Sequence, residues 1–460
     1  VNIEKSGQDT AQQASYLALG TENIRNLLFK YALPSVIAMT ASSLYNITDS
    51  IFIGHGVGAL AISGLAITFP LMNLSAAFGS LVGAGAATLM SLRLGQKDYY
   101  TANNILGNVF VLNFFLGLAY TILVLLFLDP ILIFFGASND TLPYAHDFMM
   151  VISIGNVVTH TYLGLNALLR ATGNPRKAMY ATISTVIINI ILAPTFIFGF
   201  GWGIKGAALA TVLAQTSMLV WQIRFFSNEK NPIHLRKGSL RLKKKIVIDS
   251  LSIGLAPFLM NSVASVIVVI LNRSLIKYGG DLAVGAFGII NRITFLFVMI
   301  VFGLTQGMQP IAGYNYGARQ NIRVNSVLKL TIILATIVFT LGFITGELFP
   351  RAAAALFTND QEMIGLVVTG FRIVVIVFPV IGFHMVSLNF FQSIGMPKKA
   401  IFMSLLRQVF LLLPLLLLLP HLFGLKGVWY SMPLSDFLSS IYAAYLLTAY
   451  YRKSTDKMKY

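Results

Sequence analysis

The sequence contains no cysteine, which excludes disulfides, thiol catalysis and cysteine-ligated metals. Charge is scarce. Asp, Glu, Lys and Arg together make up 11% of the 460 residues, against about 25% in an average soluble domain. Acids are scarcest, with 16 Asp and Glu facing 33 Lys and Arg, for a formal net charge of +17. So few charges cannot cover the surface of a soluble fold of this size when 56% of the residues are hydrophobic, so lipid is the main solvent. The dipeptide Gly-Lys never occurs. That excludes the phosphate-cradling GxxxxGK loop, and with it ATP-driven transport by this chain alone. There is no HExxH, and the six histidines are not spaced as metal pairs. His160 and His384 read as helix-packing groups. Few residues remain that can carry chemistry.

Twelve apolar runs are each near or above the roughly 20 residues that cross a bilayer. They are 31–54, 60–92, 101–128, 144–170, 176–199, 203–225, 247–276, 282–312, 325–349, 361–393, 400–422 and 425–451. Numbering sides from the N-terminus puts 25 Lys and Arg residues on the first side and five on the second, namely Lys205, Arg273, Lys277, Arg351 and Lys426. Arg292, Arg372 and Arg407 fall within runs. This bias predicts an even number of spans with both termini cytoplasmic. Residues 1–30 are polar and lack the layout of a cleaved signal peptide; a short surface helix is expected there. The basic stretch 227–245, SNEKNPIHLRKGSLRLKKK, reads as a cytoplasmic linker lying against anionic headgroups rather than as a nucleic-acid site. The predicted organisation is an N-terminal segment 1–30, a first six-helix bundle 31–226, the linker 227–245, a second six-helix bundle 246–452 and a tail 453–460.

The halves repeat. Pro34 and Pro257, Gly95 and Gly317, LAISGLA at 60–66 and LAVGAFG at 282–288, GNPRKA at 173–178 and GMPKKA at 395–400, and GIKG at 203–206 and GLKG at 424–427 recur in order. Their offsets are all 221–223 residues. Six spans per half give both halves the same orientation. The repeat is therefore parallel, about an axis along the membrane normal, with a cleft between the bundles, as alternating access requires. Pro34, Pro70, Pro194, Pro257, Pro379, Pro414 and Pro433 lie inside the runs and invite kinks.

Only two acids, Asp49 and Asp436, sit well inside apolar runs. An ionised, unpaired carboxylate there costs several kcal/mol, so such a residue marks an ion or proton path. Out of water the neutral acid gains on the carboxylate, and the group can exchange a proton near neutral pH. Ser42, Tyr45 and Asp49 share one helix face. A rise of about 1.5 Å per residue puts Asp49 roughly 9 Å, Asn189 roughly 15 Å and Thr211 roughly 12 Å from the outer ends of spans one, five and six. A carboxylate, an amide and a hydroxyl at similar depth suit a proton or a small cation; the alternative is a polar cluster that holds helices together. Asp436 reads as the partner of Arg372 or Arg407, or as a second coupling group.

These residues resemble the multidrug and toxic compound extrusion (MATE) transporters over nearly all twelve spans. The span-one pattern is present as Leu33, Pro34, Tyr45, Asn46, Asp49 and Gly54. Arg170 and Gly173 follow span four, 189–199 reads NIILAPTFIFG, and Gly206, Ala207, Ala208, Ala210 and Thr211 open span six. The resemblance implies an all-α membrane protein, two pseudo-symmetric six-helix bundles around a V-shaped cleft. It implies export of amphipathic, often cationic drugs or toxic organic compounds, driven by entry of protons or sodium. It further implies a monomer in the cell (inner) membrane, with no cofactor beyond the coupling ion. By matching position, Asp49, Asn189 and Thr211 line the cation site, and Pro34 is the bend of the first helix. Met39, Ser42, Tyr45, Met72, Asn166 and Gln215 fall on the drug pathway. The family's second carboxylate in span five is replaced by Ala193. This weakens a sodium site and leaves Asp49 as the local acid, which favours proton coupling; sodium at Asp49, Asn189 and Thr211 is the alternative. Span seven lacks the glutamate of plant and animal relatives and offers Asn261 and Asn272, which with Asp436 form a candidate second polar site. A flippase for lipid-linked sugars needs more cationic residues along its cleft than Arg292, Arg372 and Arg407. A channel needs no repeat of kinked helices, and an intramembrane enzyme needs a dyad that Asp49 and Asp436, in different bundles, do not form.

Overall fold

The computed structural model describes residues 16–357 and 360–456, with side chains at all of these except 46, 47, 51, 54, 59, 237, 281 and 453–456. Residues 1–15, 358–359 and 457–460, and the burial of Asn46 and Gly54 from the span-one pattern, lie outside this set. Among the described residues, ten helices are long and apolar enough to cross a membrane. Spans one to six are Ile24–Ser50 (continuing as helix to Gly56), Leu60–Gly95, Tyr99–Leu126, Leu142–Ala171, Pro175–Gly199 and Gly203–Ser227. Spans seven to nine are Lys244–Gly280, Leu282–Gly317 and Asn321–Leu348, and span eleven is Pro397–Phe423. The pair Gln361–Val375 and Phe378–Ser393, bent by 54° at its break, supplies span ten. Span twelve, Leu425–Asp456, has 32 residues. It is less apolar than the others because Ser431, Ser435, Asp436, Ser439 and Ser440 turn inward and are buried.

Span one begins at Ile24, earlier than the apolar pattern alone predicts, because the Asn23 side chain accepts the Arg25 N–H and caps the helix. The expected surface helix in the N-terminal segment is present at residues 16–21, although Tyr16 and Leu19 on it are buried. The prolines act unevenly. Helices run unbroken through Pro34, Pro70, Pro257 and Pro433, and also through Pro310. A sharp break occurs before Pro379. Pro194 immediately precedes a π-helical turn at Thr195–Gly199, and Pro414 closely follows one at Leu406–Leu412. Both widened turns lie in the repeat-related spans five and eleven, where a ring without an N–H unsettles the α-helical ladder.

The linker is held firmly on the first bundle. Asn108 in span three donates from Nδ2 to the carbonyls of Ser239 (3.2 Å) and Arg241 (3.0 Å) and accepts the Lys243 N–H at 2.7 Å. Asn103 accepts the His234 N–H at 2.9 Å.

The bundles meet along a seam built from glycine. A Cβ at Gly95 would lie 1.9 Å from the Tyr314 carbonyl oxygen, and one at Gly317 would lie 2.2 Å from that of Leu92. These are repeat-related positions, so the contact is made twice about the pseudo-twofold axis. Further in, a Cβ at Gly85 would lie 1.9 Å from Ser250 O, and one at Gly307 would lie 2.5 Å from Ala32 Cα. No other residue allows this backbone-to-backbone approach. The seam occupies the end of the molecule that carries the basic loops, and reaches the edge contact of Phe78 on Phe258 at 5.0 Å. Toward the other end, Gly56, Gly64, Gly279 and Gly285 have their nearest neighbours within their own bundle.

In this cysteine-free chain, Ser91→Cys with Gly313→Cys should close a disulfide across the seam. The Cβ built at Gly313 lies 2.9 Å from Ser91 Cβ, so a small separation reaches disulfide geometry. Loss of both thiols to mild oxidation in the purified protein is the expected result; two persistently maleimide-reactive thiols would contradict the seam.

Candidate functional site

Span one is shared between the bundles. Its first turns, around Ala32 and Val36, pack on Gly307 and Gly303 of span eight. Its later turns pack on spans five and six of its own bundle. Pro34, buried, lies where the first of these contacts is made, so a bend there changes both.

Beyond Pro34 the helix carries Tyr45 and Asp49 inward. Tyr45 Oη is 2.8 Å from Thr211 Oγ1 in span six. Asn189 in span five donates from Nδ2 to the same Thr211 oxygen at 3.0 Å. The Thr211 hydroxyl donates to Ala207 O at 3.2 Å. The three helices expected to converge do converge, and two of the three expected ion-site residues bond directly. The third link in the hydrogen-bonded cluster is Tyr45, expected as a drug contact. Asp49 sits one turn further along span one, 7% exposed, with Oδ1 buried and without a hydrogen-bond partner. Ala193, fully buried in span five, offers it no second carboxylate. An ionised carboxylate so placed costs several kcal/mol unless a proton or cation shares its charge.

The remaining expected site residues are more scattered. Gln215, one turn from Thr211, accepts from Thr159 Oγ1 of span four. Met72 accepts from Thr68 Oγ1 at 3.7 Å, and Met39 from Gln306 Nε2 at 3.6 Å, across the bundles. Ser42 is half-buried in span one. Asn166 is buried and fully engaged: it accepts from Arg170 Nη1 at 2.6 Å and donates to Ala178 O at 3.1 Å and Thr182 Oγ1 at 3.3 Å. In this conformation it orients Arg170 and ties span four to span five. In the second bundle, Asp436 pairs with Arg407 Nε of span eleven, while Arg372 lies near Glu347 at 3.9 Å. Asn261 and Asn272, half-buried in span seven, make no side-chain hydrogen bond to Asp436. The repeat partner of Asp49 is Asn272, and those of Asn189 and Thr211 are Leu411 and Met432, so the second bundle has no copy of the first-bundle cluster.

One buried polar group was missed from the sequence. Ser75 donates to Asn156 Oδ1 at 2.8 Å and lies 3.0 Å from His160 Nε2. Tyr120 packs on the His160 ring at 5.9 Å. His160 in span four was the visible signal, but its partners are far off in sequence. Among the described residues, no group of three or more His, Asp or Glu is placed to hold a metal ion.

Two repeated bundles of membrane-spanning helices that meet at one end are the architecture of a membrane transporter. The chain belongs to the MatE family, whose model matches residues 34–195 and again 257–418, once in each bundle. Multidrug export protein MepA of Staphylococcus aureus strain MSSA476 is 27% identical over 416 residues, covering 90% of this chain and 92% of its own length. A solved structure of the MATE multidrug transporter DinF-BH superposes with a TM-score of 0.88 at 37% identity, over 94% of this chain and 96% of that one. An outward-facing multidrug resistance MATE transporter of the MOP superfamily shares the fold at 23% identity, with a TM-score of 0.88 over 95% and 98% of the two chains. As a family member the chain is a transporter and not an enzyme.

Asn166→Ala should lower the thermal stability of the purified protein by about 1–3 kcal/mol, since it strands the Arg170 guanidinium. Its effect on the affinity of a bound fluorescent cation should be small. A large affinity loss at unchanged stability would return Asn166 to the drug pathway.

Proposed function

We propose that the protein is a multidrug exporter that moves amphipathic, often cationic compounds out of the cell by cation antiport, with the proton as coupling ion and Asp49 as the group that carries it. The observation that carries the reading is the burial of Asp49, with one oxygen unpartnered, beside a saturated neutral cluster. Thr211 Oγ1 receives Asn189 Nδ2 and faces Tyr45 Oη while its own proton goes to Ala207 O. A sodium ion would have to displace those bonds to reach that oxygen, and Ala193 supplies no anionic ligand in place of the family's second acid. A proton needs only the carboxylate. The names of MepA and DinF-BH, both multidrug transporters, support the substrate class.

In the proposed cycle the basic face is cytoplasmic, both termini included, and the seam closes that side. Protonation of Asp49 from outside removes the buried charge and lets span one bend at Pro34, which shrinks the cleft and expels the compound. Deprotonation toward the cytoplasm resets the helix. The proton and the compound must each prefer a different state for this coupling to work. The working unit is a monomer in the cell membrane, and no cofactor takes part.

Fluorescent-cation efflux from proteoliposomes, under an imposed pH gradient or an imposed sodium gradient, tests this. Wild-type efflux should follow the pH gradient, and Asp49→Asn should abolish it while leaving the protein folded. Efflux that follows sodium alone would replace the proton by sodium at Asp49, Asn189 and Thr211. No efflux under either gradient would favour a lipid-linked substrate.

A further inference from the structure

The glycine seam closes the basic face, and a short segment of chain lies across it. Residues 16–21 form a helix ahead of span one, and its contacts go to both bundles. On the second bundle, Arg323 at the start of span nine donates from Nη2 to Leu19 O at 3.0 Å and to Glu22 O at 2.7 Å. Asn315 in span eight donates to Leu19 O at 2.9 Å and accepts from Arg323 Nε at 2.9 Å. Gly20 lies against the Tyr314 ring, where a Cβ would come within 2.9 Å of the ring edge. On the first bundle, the Tyr16 ring packs on Tyr99 at the start of span three, with centroids 5.7 Å apart. Leu19 is fully buried and Tyr16 nearly so. The segment is then joined to span one through the Asn23 cap and the Lys30–Glu22 ion pair at 2.8 Å.

The position of these contacts gives them meaning. Tyr314, under Gly20, is the residue whose carbonyl meets Gly95 in the seam. Asn315 and Arg323 flank the end of span eight, Gly317, which makes the reciprocal contact with Leu92. Any motion that parts the bundles on this face carries Tyr99 away from Tyr314, Asn315 and Arg323. The segment cannot follow both. The carbonyls of Leu19 and Glu22 are acceptors left over at the end of the segment, and a planar guanidinium that reaches both from Nη2 while Nε holds Asn315 Oδ1 suits this set better than an ammonium, whose donors all sit on one atom.

We propose that residues 16–22 are a strap that holds the transporter closed on its basic face, and that Arg323 is the positioning residue that fastens it. This rests on the alternating-access reading above for its consequence, but the strap and its fastening can be measured without any transport. When the face opens, the strap must leave Arg323 and Asn315 or Tyr99. The rate of that opening is then set partly by charge-assisted hydrogen bonds that touch neither the compound nor the coupling ion.

The test uses the absence of cysteine. Ser91, buried where span two meets Gly313, is changed to Cys as a single reporter, and its reaction with a water-soluble maleimide reads opening of the face. Arg323→Gln should raise the labelling rate about tenfold, from the loss of two charge-assisted bonds, and Arg323→Lys should recover part of it. Deleting residues 1–22 should raise the rate similarly. In the deleted chain Arg323→Gln should add little, because its partners are gone. An equal effect of Arg323→Gln with and without the strap, or no effect in the full chain, overturns the proposal. If Arg323→Gln does not fold, Tyr16→Ala, which frees the strap from the first bundle, should raise the labelling rate instead, and an unchanged rate there also counts against the strap. In proteoliposomes Arg323→Gln should change kcat with KM for the compound nearly constant; no efflux from either protein would bear on the transport reading and leave the labelling result standing.

Discussion

The close approach of two backbones at a few glycines is the constraint on which the rest of this structure depends. Lipid tails are as apolar as leucine, so burial of apolar surface does little to hold two helices together inside a bilayer. Packing and direct backbone contact must do it. Gly95 against Tyr314 and Gly317 against Leu92 provide that contact twice, by the symmetry of the repeat. The same feature makes the closed face reversible. The seam holds no disulfide, and its van der Waals contacts and hydrogen bonds, such as Gln309 Nε2 to Thr88 Oγ1 at 2.8 Å, can be left and re-formed, as a transporter requires.

The seam also explains the division of labour along span one. Its first part belongs energetically to the second bundle, through Ala32 and Val36 on span eight. Its later part belongs to the first bundle, through Tyr45 on Thr211. A change of charge at Asp49 is therefore felt by a helix anchored at both ends in different bodies, with a proline at the first anchor. This is a physical route from a single buried acid to the relation between two bundles. It needs no chain of side chains running across the molecule.

The two bundles share a fold but differ in chemistry. Asp49, Asn189 and Thr211 have Asn272, Leu411 and Met432 as repeat partners, whereas Tyr162, Thr185 and Gln215 have His384, Arg407 and Asp436. The second bundle holds its charge as a neutral pair between spans eleven and twelve, beside the π-helical turn at Leu406–Leu412. A paired acid has its counter-charge built in, whereas Asp49 must borrow one. That asymmetry is the reason the proposed coupling role is placed in the first bundle.

Composition, the spacing of apolar runs and the bias of basic loops were enough to give the helices, their number and the parallel repeat, because a bilayer leaves a backbone few alternatives to spanning helices. The offset of 222 between Gly95 and Gly317 was legible as well, although not what those glycines touch. Asp49 stood out because a lone acid in an apolar run is costly wherever it faces. Only the tertiary structure decided which neighbours each polar group obtained. It gave Tyr45 rather than Asp49 to Thr211, set Asn166 against Arg170, chose Arg407 over Arg372 for Asp436, and laid residues 16–21 across the seam. Those choices depend on the rotation and depth of helices relative to one another. Such quantities are fixed by packing between residues distant in sequence, and a one-dimensional pattern of apolar and polar residues does not record them.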